Sequence, residues 1–126
     1  MIAPMRRSAF LILSAALIAA PAFALPKQPT AKYYSDRLAK LTDLQRKGAV
    51  RGAIVESDLK CGAVEAVAHQ GSYKNLEMWV ARCGPKPGRE YGLFLGPDGS
   101  VQVSPCADLV KVKWPACRPL PQSGKH

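Results

Sequence analysis

Apolar residues in the segment that follows Pro29 recur at helical spacing. Four of them stand at intervals of four, three and three residues, namely Tyr34, Leu38, Leu41 and Leu44. This spacing places the apolar side chains on one face of a helix, and most of the charged residues fall on the opposite face. Thr30 is a candidate N-cap and Gly48 is a natural stop. The pattern predicts one helix over about residues 31–47.

Beyond this helix the pattern changes from helical to extended. Residues 49–59 fit a short second helix or a loop equally well, because Gly52 weakens either assignment. From Cys61 onward the residues favour β-structure. The predicted strands are residues 63–69, for which one helical turn is the alternative, and then 76–83, 90–95 and 100–104. The segments 84–88 and 96–99 are rich in glycine and proline and predict antiparallel hairpins, and residues 107–112 fit one helical turn.

These elements predict an α+β fold. One long N-terminal helix would pack on a three- or four-stranded antiparallel meander, closed by two disulfides. The chain has 126 residues, of which 48% are hydrophobic and 21% charged. This length allows one domain, and this mixture is typical of globular proteins rather than of disordered or fibrous chains.

The first residues have the features of a signal peptide. Arg6 and Arg7 precede the apolar segment Ser8–Ala20, whose 13 residues are too few to span a bilayer of about 30 Å. Small residues then lead to Ala24, after which we expect cleavage. The alternatives are an uncleaved anchor or a buried helix. We therefore expect a signal peptide over residues 1–24 and a periplasmic or secreted protein.

Cleavage would leave one domain of residues 25–126, with an ordered core over about residues 31–118. This domain contains all four cysteines: Cys61, Cys83, Cys106 and Cys117. None of them forms a Cys-x-x-Cys motif, and closely spaced zinc ligands are absent from the sequence. The cysteines therefore predict structural disulfides, with three pairings possible, and we expect no metal or cofactor.

Several short motifs in the second half of the chain resemble a group of small secreted Gram-negative proteins without established function. They are Cys61-x-x-Val64, Trp79-x-x-x-Cys83, Gly88-x-x-Tyr91, Phe94-Leu95, Pro97-Asp98-Gly99-Ser100 and Val103-x-x-Cys106. The layout is similar to that of PepSY-like and beta-lactamase-inhibitor-like modules. The resemblance covers about residues 58–117. It implies a fold, and it carries no catalytic signature.

The resemblance also bears on the disulfide pairing. It implies a bridge between Cys61 and Cys83. The segment between Cys106 and Cys117 is short and rich in turns, which favours a second bridge between those two residues. Each bridge would stabilise a small domain by about 2 to 4 kcal/mol.

Candidate catalytic residues are few. His69 is the one histidine inside the predicted fold, and no catalytic motif surrounds it, so we interpret it as a surface residue at a strand end. Glu65 and Glu77 could face each other on adjacent strands as an acid/base pair. Strand alternation instead favours solvated positions for both, on the open face of a one-sided sheet. The sequence therefore gives little support to an enzyme.

Positive charge is the property that bears most directly on partners. Lysine and arginine number 18 against 9 acidic residues, and removing Arg6 and Arg7 would lower the net charge from +9 to +7. The densest basic stretch predicts a partner-binding patch, formed by Lys40, Arg46, Lys47 and Arg51. Such a patch would attract an acidic envelope protein or an anionic envelope surface, and the alternative is an ordinary solvated surface. Nucleic acid is not expected, because no recognition motif is present.

Aromatic residues supply the remaining candidates. Trp79, Tyr91 and Phe94 lie on neighbouring predicted strands, and at least two of them are expected to pack under the helix. Trp114 precedes Pro115 in irregular chain. It either closes the edge of the core or presents an exposed anchor for a partner.

Together these features predict a non-enzymatic periplasmic or secreted module for binding or protein interaction. One alternative is an inhibitor of an envelope or secreted enzyme, with the loop Gly84–Gly88 projecting from the core. The other is a small envelope enzyme that uses Glu65, Glu77 or His69.

Overall fold

The computed structural model describes residues 28–85 and 89–121 of the chain. Its elements in chain order are α1 (Ala31–Lys40), α2 (Asp43–Glu56), β1 (Ala63–Tyr73), β2 (Leu76–Gly84), β3 (Glu90–Leu95), β4 (Val101–Pro105) and α3 (Cys106–Lys111). The strands form one antiparallel sheet in the order β1-β2-β3-β4. The predicted α+β fold with an antiparallel meander is confirmed, and the sheet has four strands. The predicted signal peptide and its cleavage after Ala24 lie outside the described residues.

The prediction of one long N-terminal helix is wrong, because two helices occupy this segment. The backbone is extended at Leu41, with φ −64° and ψ 154°. Thr42 then begins α2 with a capping box, in which its hydroxyl accepts from the Gln45 backbone and the Gln45 side chain accepts from the Thr42 backbone. Gly48, the predicted end of the helix, lies inside α2. A glycine inside a helix costs only about 1 kcal/mol, so it does not have to end one. Leu44, on the predicted apolar stripe, is 82% exposed.

The strand alternative is confirmed for residues 63–69, and β1 continues beyond them to Tyr73. It pairs with β2 from Ala63 opposite Gly84 to Tyr73 opposite Leu76. The turn between the two strands has Lys74 at a φ of 53°. Glycine and asparagine favour this conformation, so a lysine there gave no sequence signal for the hairpin.

A tight loop of the predicted kind joins β3 to β4. The Gly99 amide donates to the Gly96 carbonyl at 3.1 Å, and the Gly96 amide donates to the Ser100 carbonyl at 2.8 Å. Gly99 has a φ of 81°, as the glycine of a three-residue hairpin loop does. Hydrogen bonds from the side chain and backbone of Ser100 hold the pKa of the Asp98 carboxyl below its ordinary value.

Both faces of the sheet are covered, so the expectation of an open, one-sided sheet is wrong. Helices α1 and α2 cover one side, here called the helical face, whose core includes Val50, Ile54 and Trp79. Helix α3 and the C-terminal residues 112–121 cover the other side, here called the strap face, whose core includes Met78 and Phe94. Strand β2 is accordingly buried at nearly every position along its length.

Each face has its own disulfide. Cys61 is bonded to Cys83, which joins the chain before β1 to the end of β2. Cys106 is bonded to Cys117, which joins the start of α3 to the C-terminal segment. These are the two pairs expected from the resemblance and from the short segment between the last two cysteines. Disulfides of this kind are typical of proteins in oxidising compartments.

Within residues 28–85 and 89–121, no helix combines the length and the apolar character needed to cross a bilayer.

Candidate binding groove

The break between α1 and α2 leaves an apolar groove on the helical face. The groove has a volume of about 280 Å³. Its walls come from both helices, through Tyr34, Leu38, Ala49, Val50 and Ala53. Its floor and outer edge come from β3 and β4, through Leu93, Leu95 and Val101. A continuous helix over residues 31–47 would not place α1 and α2 on two sides of one groove.

The depth of the groove is visible in the exposure of its residues. Val50 and Leu93 are 2% and 1% exposed, whereas Val101 at the outer edge is 39% exposed. Tyr34 packs on the β3–β4 loop, because a side chain added at Gly99 would come within 3.0 Å of the Tyr34 ring. The groove is therefore a preformed concave surface, and its apolar walls favour an apolar occupant that removes them from water.

Arg37 is the charged residue among those that line this groove in the described part of the chain. Its Nη1 donates to the Tyr33 hydroxyl at 3.2 Å, and its guanidinium carbon lies 5.6 Å from the centre of the Tyr33 ring. Tyr33 itself is 47% exposed. Stacking on this tyrosine holds a positive charge at the rim of an apolar groove.

Arg46, one of the predicted partner-binding residues, is hydrogen-bonded to the end of α1. Its guanidinium donates to the carbonyls of Leu38 at 3.0 Å, Ala39 at 2.7 Å and Leu41 at 2.7 Å. Carbonyls at the end of a helix lack partners within the helix, and cationic donors stabilise them. Arg46 therefore joins the end of α1 to α2 and fixes the geometry of the groove.

The other three residues of the predicted basic patch differ among themselves. Lys47 forms an ion pair with Asp43 at 2.8 Å. Arg51 donates through Nε to the carbonyls of Cys61 and Gly62 at 3.0 and 3.1 Å, which ties α2 to the start of β1. Lys40 is exposed at the end of α1. That these residues bind a partner stays a prediction.

The predicted catalytic candidates fall into two separate clusters. His69 is exposed, and its Nε2 lies 3.0 Å from a Glu77 carboxylate oxygen, while the Ser72 hydroxyl donates to the other oxygen at 2.8 Å. Glu77 is only 7% exposed, so its predicted solvated position is wrong. Because Ser72 donates to the carboxylate and not to the imidazole, the three side chains do not form the relay that activates a serine nucleophile.

Glu65 lies far from this cluster. Its carboxylate accepts from Arg82 Nε at 3.3 Å. Arg82 is five residues along β2 from Glu77, a separation of about 17 Å at the rise of an antiparallel strand. Glu65 and Glu77 therefore do not form the acid/base pair that a small enzyme would need.

Trp79 positions α1 on the sheet. Its indole N–H donates to the buried Ser35 hydroxyl at 2.9 Å, and its ring centre lies 5.1 Å from that of His69. Trp79 and Tyr91 both belong to the core of the helical face, whereas Phe94 belongs to the strap face. The expectation that at least two of these aromatics pack under the helical layer is confirmed.

Trp114 closes the edge of a core, which is the first of its two predicted roles. It is partly buried, and its ring centre lies 4.7 Å from that of Phe94 and 5.5 Å from that of Tyr73. The loop proposed for an inhibitor, Gly84–Gly88, includes residues 86–88, which lie outside the described residues.

The sequence carried one unused signal for the groove. Thr42-x-x-Gln45 is a capping-box pattern, and such a pattern marks the start of a helix. Reading it would have divided the predicted helix at residue 42 and separated Leu38 from Leu44. Arg37 was not singled out, because a charged residue on the polar side of a helix is ordinary.

Comparisons with protein-family models, with curated proteins and with solved structures give no match. The resemblance to PepSY-like and beta-lactamase-inhibitor-like modules therefore stays a prediction.

Proposed function

We propose that this protein is an exported, non-enzymatic binding module whose groove takes apolar side chains of an acidic polypeptide. The observation that carries the proposal is the apolar groove of about 280 Å³ with Arg37 at its rim. Sites that bind partners commonly combine an apolar concave surface with a few placed polar groups.

The groove is supported on several sides, which favours binding. Arg46 fixes the end of α1 against α2, and the hydrogen bond from Trp79 to Ser35 fixes α1 on the sheet. The disulfide between Cys61 and Cys83 joins the chain before β1 to the end of β2, in the same core as Val50 and Ile54 of α2. A site that is already in its binding geometry loses less conformational freedom when the partner arrives, so more of the interaction energy appears as affinity.

Charge selects an acidic partner. The whole chain has a net charge of +9, and the lining residue that carries charge is an arginine. A polypeptide that carries both acidic and apolar residues would place apolar side chains in the groove, and the net positive charge, together with Arg37 at the rim, would attract its carboxylates. Complementary charge raises the association rate and rejects basic partners, and salt weakens this effect.

A synthetic peptide tests the proposal. The probe is a capped peptide of about seven residues that alternates glutamate and leucine, and calorimetry at low and high salt measures its affinity for the full chain expressed for export. We expect binding that weakens at high salt, and weaker binding when lysine replaces glutamate in the peptide. Absence of binding by the glutamate peptide at low salt would contradict the proposed function.

Two variants localise the binding. Ala49→Phe places a ring at an exposed position that lines the groove, and should lower the affinity at least about tenfold by excluding the leucines. Val55→Phe is the matched control, because Val55 is 44% exposed on the same helix and does not line the groove. Equal binding by the two variants would show that the peptide does not occupy the groove.

A further inference from the structure

The outer strand of the sheet, β4, has a free edge beside the groove. β4 pairs with β3 alone in the described sheet, from Leu95 opposite Val101 to Tyr91 opposite Pro105. Outside this pairing, no backbone hydrogen bond from another described segment reaches Val101, Gln102 or Val103. An edge strand with unpaired amides and carbonyls is able to pair with a further strand.

The hairpin loop fixes which backbone groups face outward. The Gly96 amide donates to the Ser100 carbonyl, so these two residues form a hydrogen-bonded position of the ladder. Bonded and non-bonded positions alternate along an antiparallel pair. Val101 and Val103 are therefore at non-bonded positions, and their amides and carbonyls point away from β3.

The same two valines face the groove. Val101 lines it, and Val103 packs against the core of the helical face. A strand paired with Val101 and Val103 would have its opposite side chains on this same face of the sheet. Every second side chain of the added strand would then point toward the groove.

The edge lacks the features that block such pairing in many proteins. Strand β4 has the sequence Val-Gln-Val-Ser-Pro, without a charged residue, and its register with β3 is regular. Edge strands that avoid pairing commonly carry lysine, inward-pointing charges or bulges. Proline stands only at the last position of this strand.

We infer that the acidic polypeptide binds as an additional antiparallel strand on β4, with its backbone paired to Val101 and Val103 and alternate apolar side chains in the groove. The inference rests on the proposed function and specifies its binding mode. A second copy of the chain is the less favoured occupant, because two exported copies of net charge +7 repel each other whereas an acidic strand is attracted.

Methylated versions of the glutamate and leucine peptide test this mode. Methyl groups on the leucine amides remove the hydrogens that would face β4, whereas methyl groups on the glutamate amides remove hydrogens that would face solvent. We expect the first peptide to bind about tenfold more weakly than the unmodified one, and the second to bind almost unchanged. In the complex, the Val101 and Val103 amides should become protected from hydrogen exchange.

A pair of protein variants gives an independent measurement. Val103→Pro removes the backbone N–H of residue 103, which points outward. Val103→Thr retains this N–H and has a side chain of similar shape. We expect Val103→Pro to lower the affinity for the unmodified peptide about tenfold, and Val103→Thr to leave this affinity nearly unchanged. The thermal transition of each variant shows whether it is folded.

The possible results separate the binding mode from the proposed function. If the leucine-methylated peptide binds as well as the unmodified one, strand addition is wrong while groove binding stands. If the unmodified peptide does not bind, both fail. If the Val101 and Val103 amides are already protected in a dimer without peptide, the occupant of the edge is a second copy, and the inference is overturned.

Discussion

The two faces of the sheet are both buried, but they are closed in different ways. On the strap face, Phe94 packs edge to face with Tyr73 and with Trp114, and the segment that carries Trp114 is hydrogen-bonded to Gln70 of β1. On the helical face, α1 and α2 diverge at Leu41 and leave apolar side chains of the core accessible in the groove. The concave surfaces of the strap face, of about 150 and 240 Å³, include polar residues such as Gln70 and Asp108, whereas the groove of the helical face is almost entirely apolar.

This difference indicates a division between stability and binding. The aromatic packing of the strap face contributes stability. The apolar groove of the helical face sacrifices some packing and gains a surface that another molecule can cover. The position of each disulfide fits this view, because one joins the chain before β1 to the end of β2 in the core of the helical face and the other closes the C-terminal segment over the strap face.

Adjacent residues of β3 provide the strongest test of whether both faces are true cores. Phe94 and Leu93 are each 1% exposed and point to opposite faces. We expect Phe94→Ala to lower the free energy of unfolding by about 3 to 5 kcal/mol and Leu93→Ala by about 2 to 5 kcal/mol, measured by urea denaturation. A loss below about 1 kcal/mol for Phe94→Ala would show that the strap does not form a packed layer.

Removal of each disulfide also compares the two faces, and we expect a somewhat smaller loss in the free energy of unfolding. The bridges close segments with sequence separations of 22 and 11 residues. Loop entropy predicts a loss of about 3 kcal/mol for each, with the Cys61→Ala/Cys83→Ala pair costing roughly 0.6 kcal/mol more than Cys106→Ala/Cys117→Ala. Urea denaturation measures both losses. The second pair should also retain peptide affinity, and loss of that affinity would mean that the faces are not separable.

The smallest expected effect concerns the attachment of the C-terminal segment. The Gln70 side chain donates to the Ala116 carbonyl at 2.7 Å and accepts from the Arg118 amide at 2.9 Å. Gln70→Ala should cost about 1 to 2 kcal/mol and accelerate hydrogen exchange at the Arg118 amide. Gln102→Ala, at an exposed glutamine of β4, is the control and should leave that exchange rate unchanged. An unchanged Arg118 rate in Gln70→Ala would contradict the role assigned to Gln70.

The sequence predicted the sheet better than the helices. Glycine and proline mark the loop at residues 96–99, and the strands on either side of it follow from their residue types. The break at Leu41 was missed because the spacing of Tyr34, Leu38 and Leu41 continues to Leu44. Periodicity reports the face that a residue would occupy if the helix were continuous, and it does not report whether the backbone stays helical.

The candidate site was predicted less well than the fold. The groove depends on the angle between two helices and on the edge of a strand distant in sequence, and neither property is local. Leu38 and Leu93 come together because α1 docks on the sheet, in part through the hydrogen bond from Trp79 to Ser35. The predicted basic patch also relied on residue type alone, and the carbonyls that engage Arg46 could be identified only after the helix break was known.

The arginine contacts divide long-range attraction from short-range grip. Arg46 directs its Nε hydrogen and the hydrogens of one terminal nitrogen to the main-chain carbonyls of Leu38, Ala39 and Leu41. It attracts an anion through its charge but has few hydrogens left to bind it, whereas Arg51 engages main-chain carbonyls through its Nε hydrogen alone within the described residues. A cation such as Arg46 therefore contributes to attracting a negatively charged molecule more than to holding it once it is bound. A count of basic residues measures only the attraction.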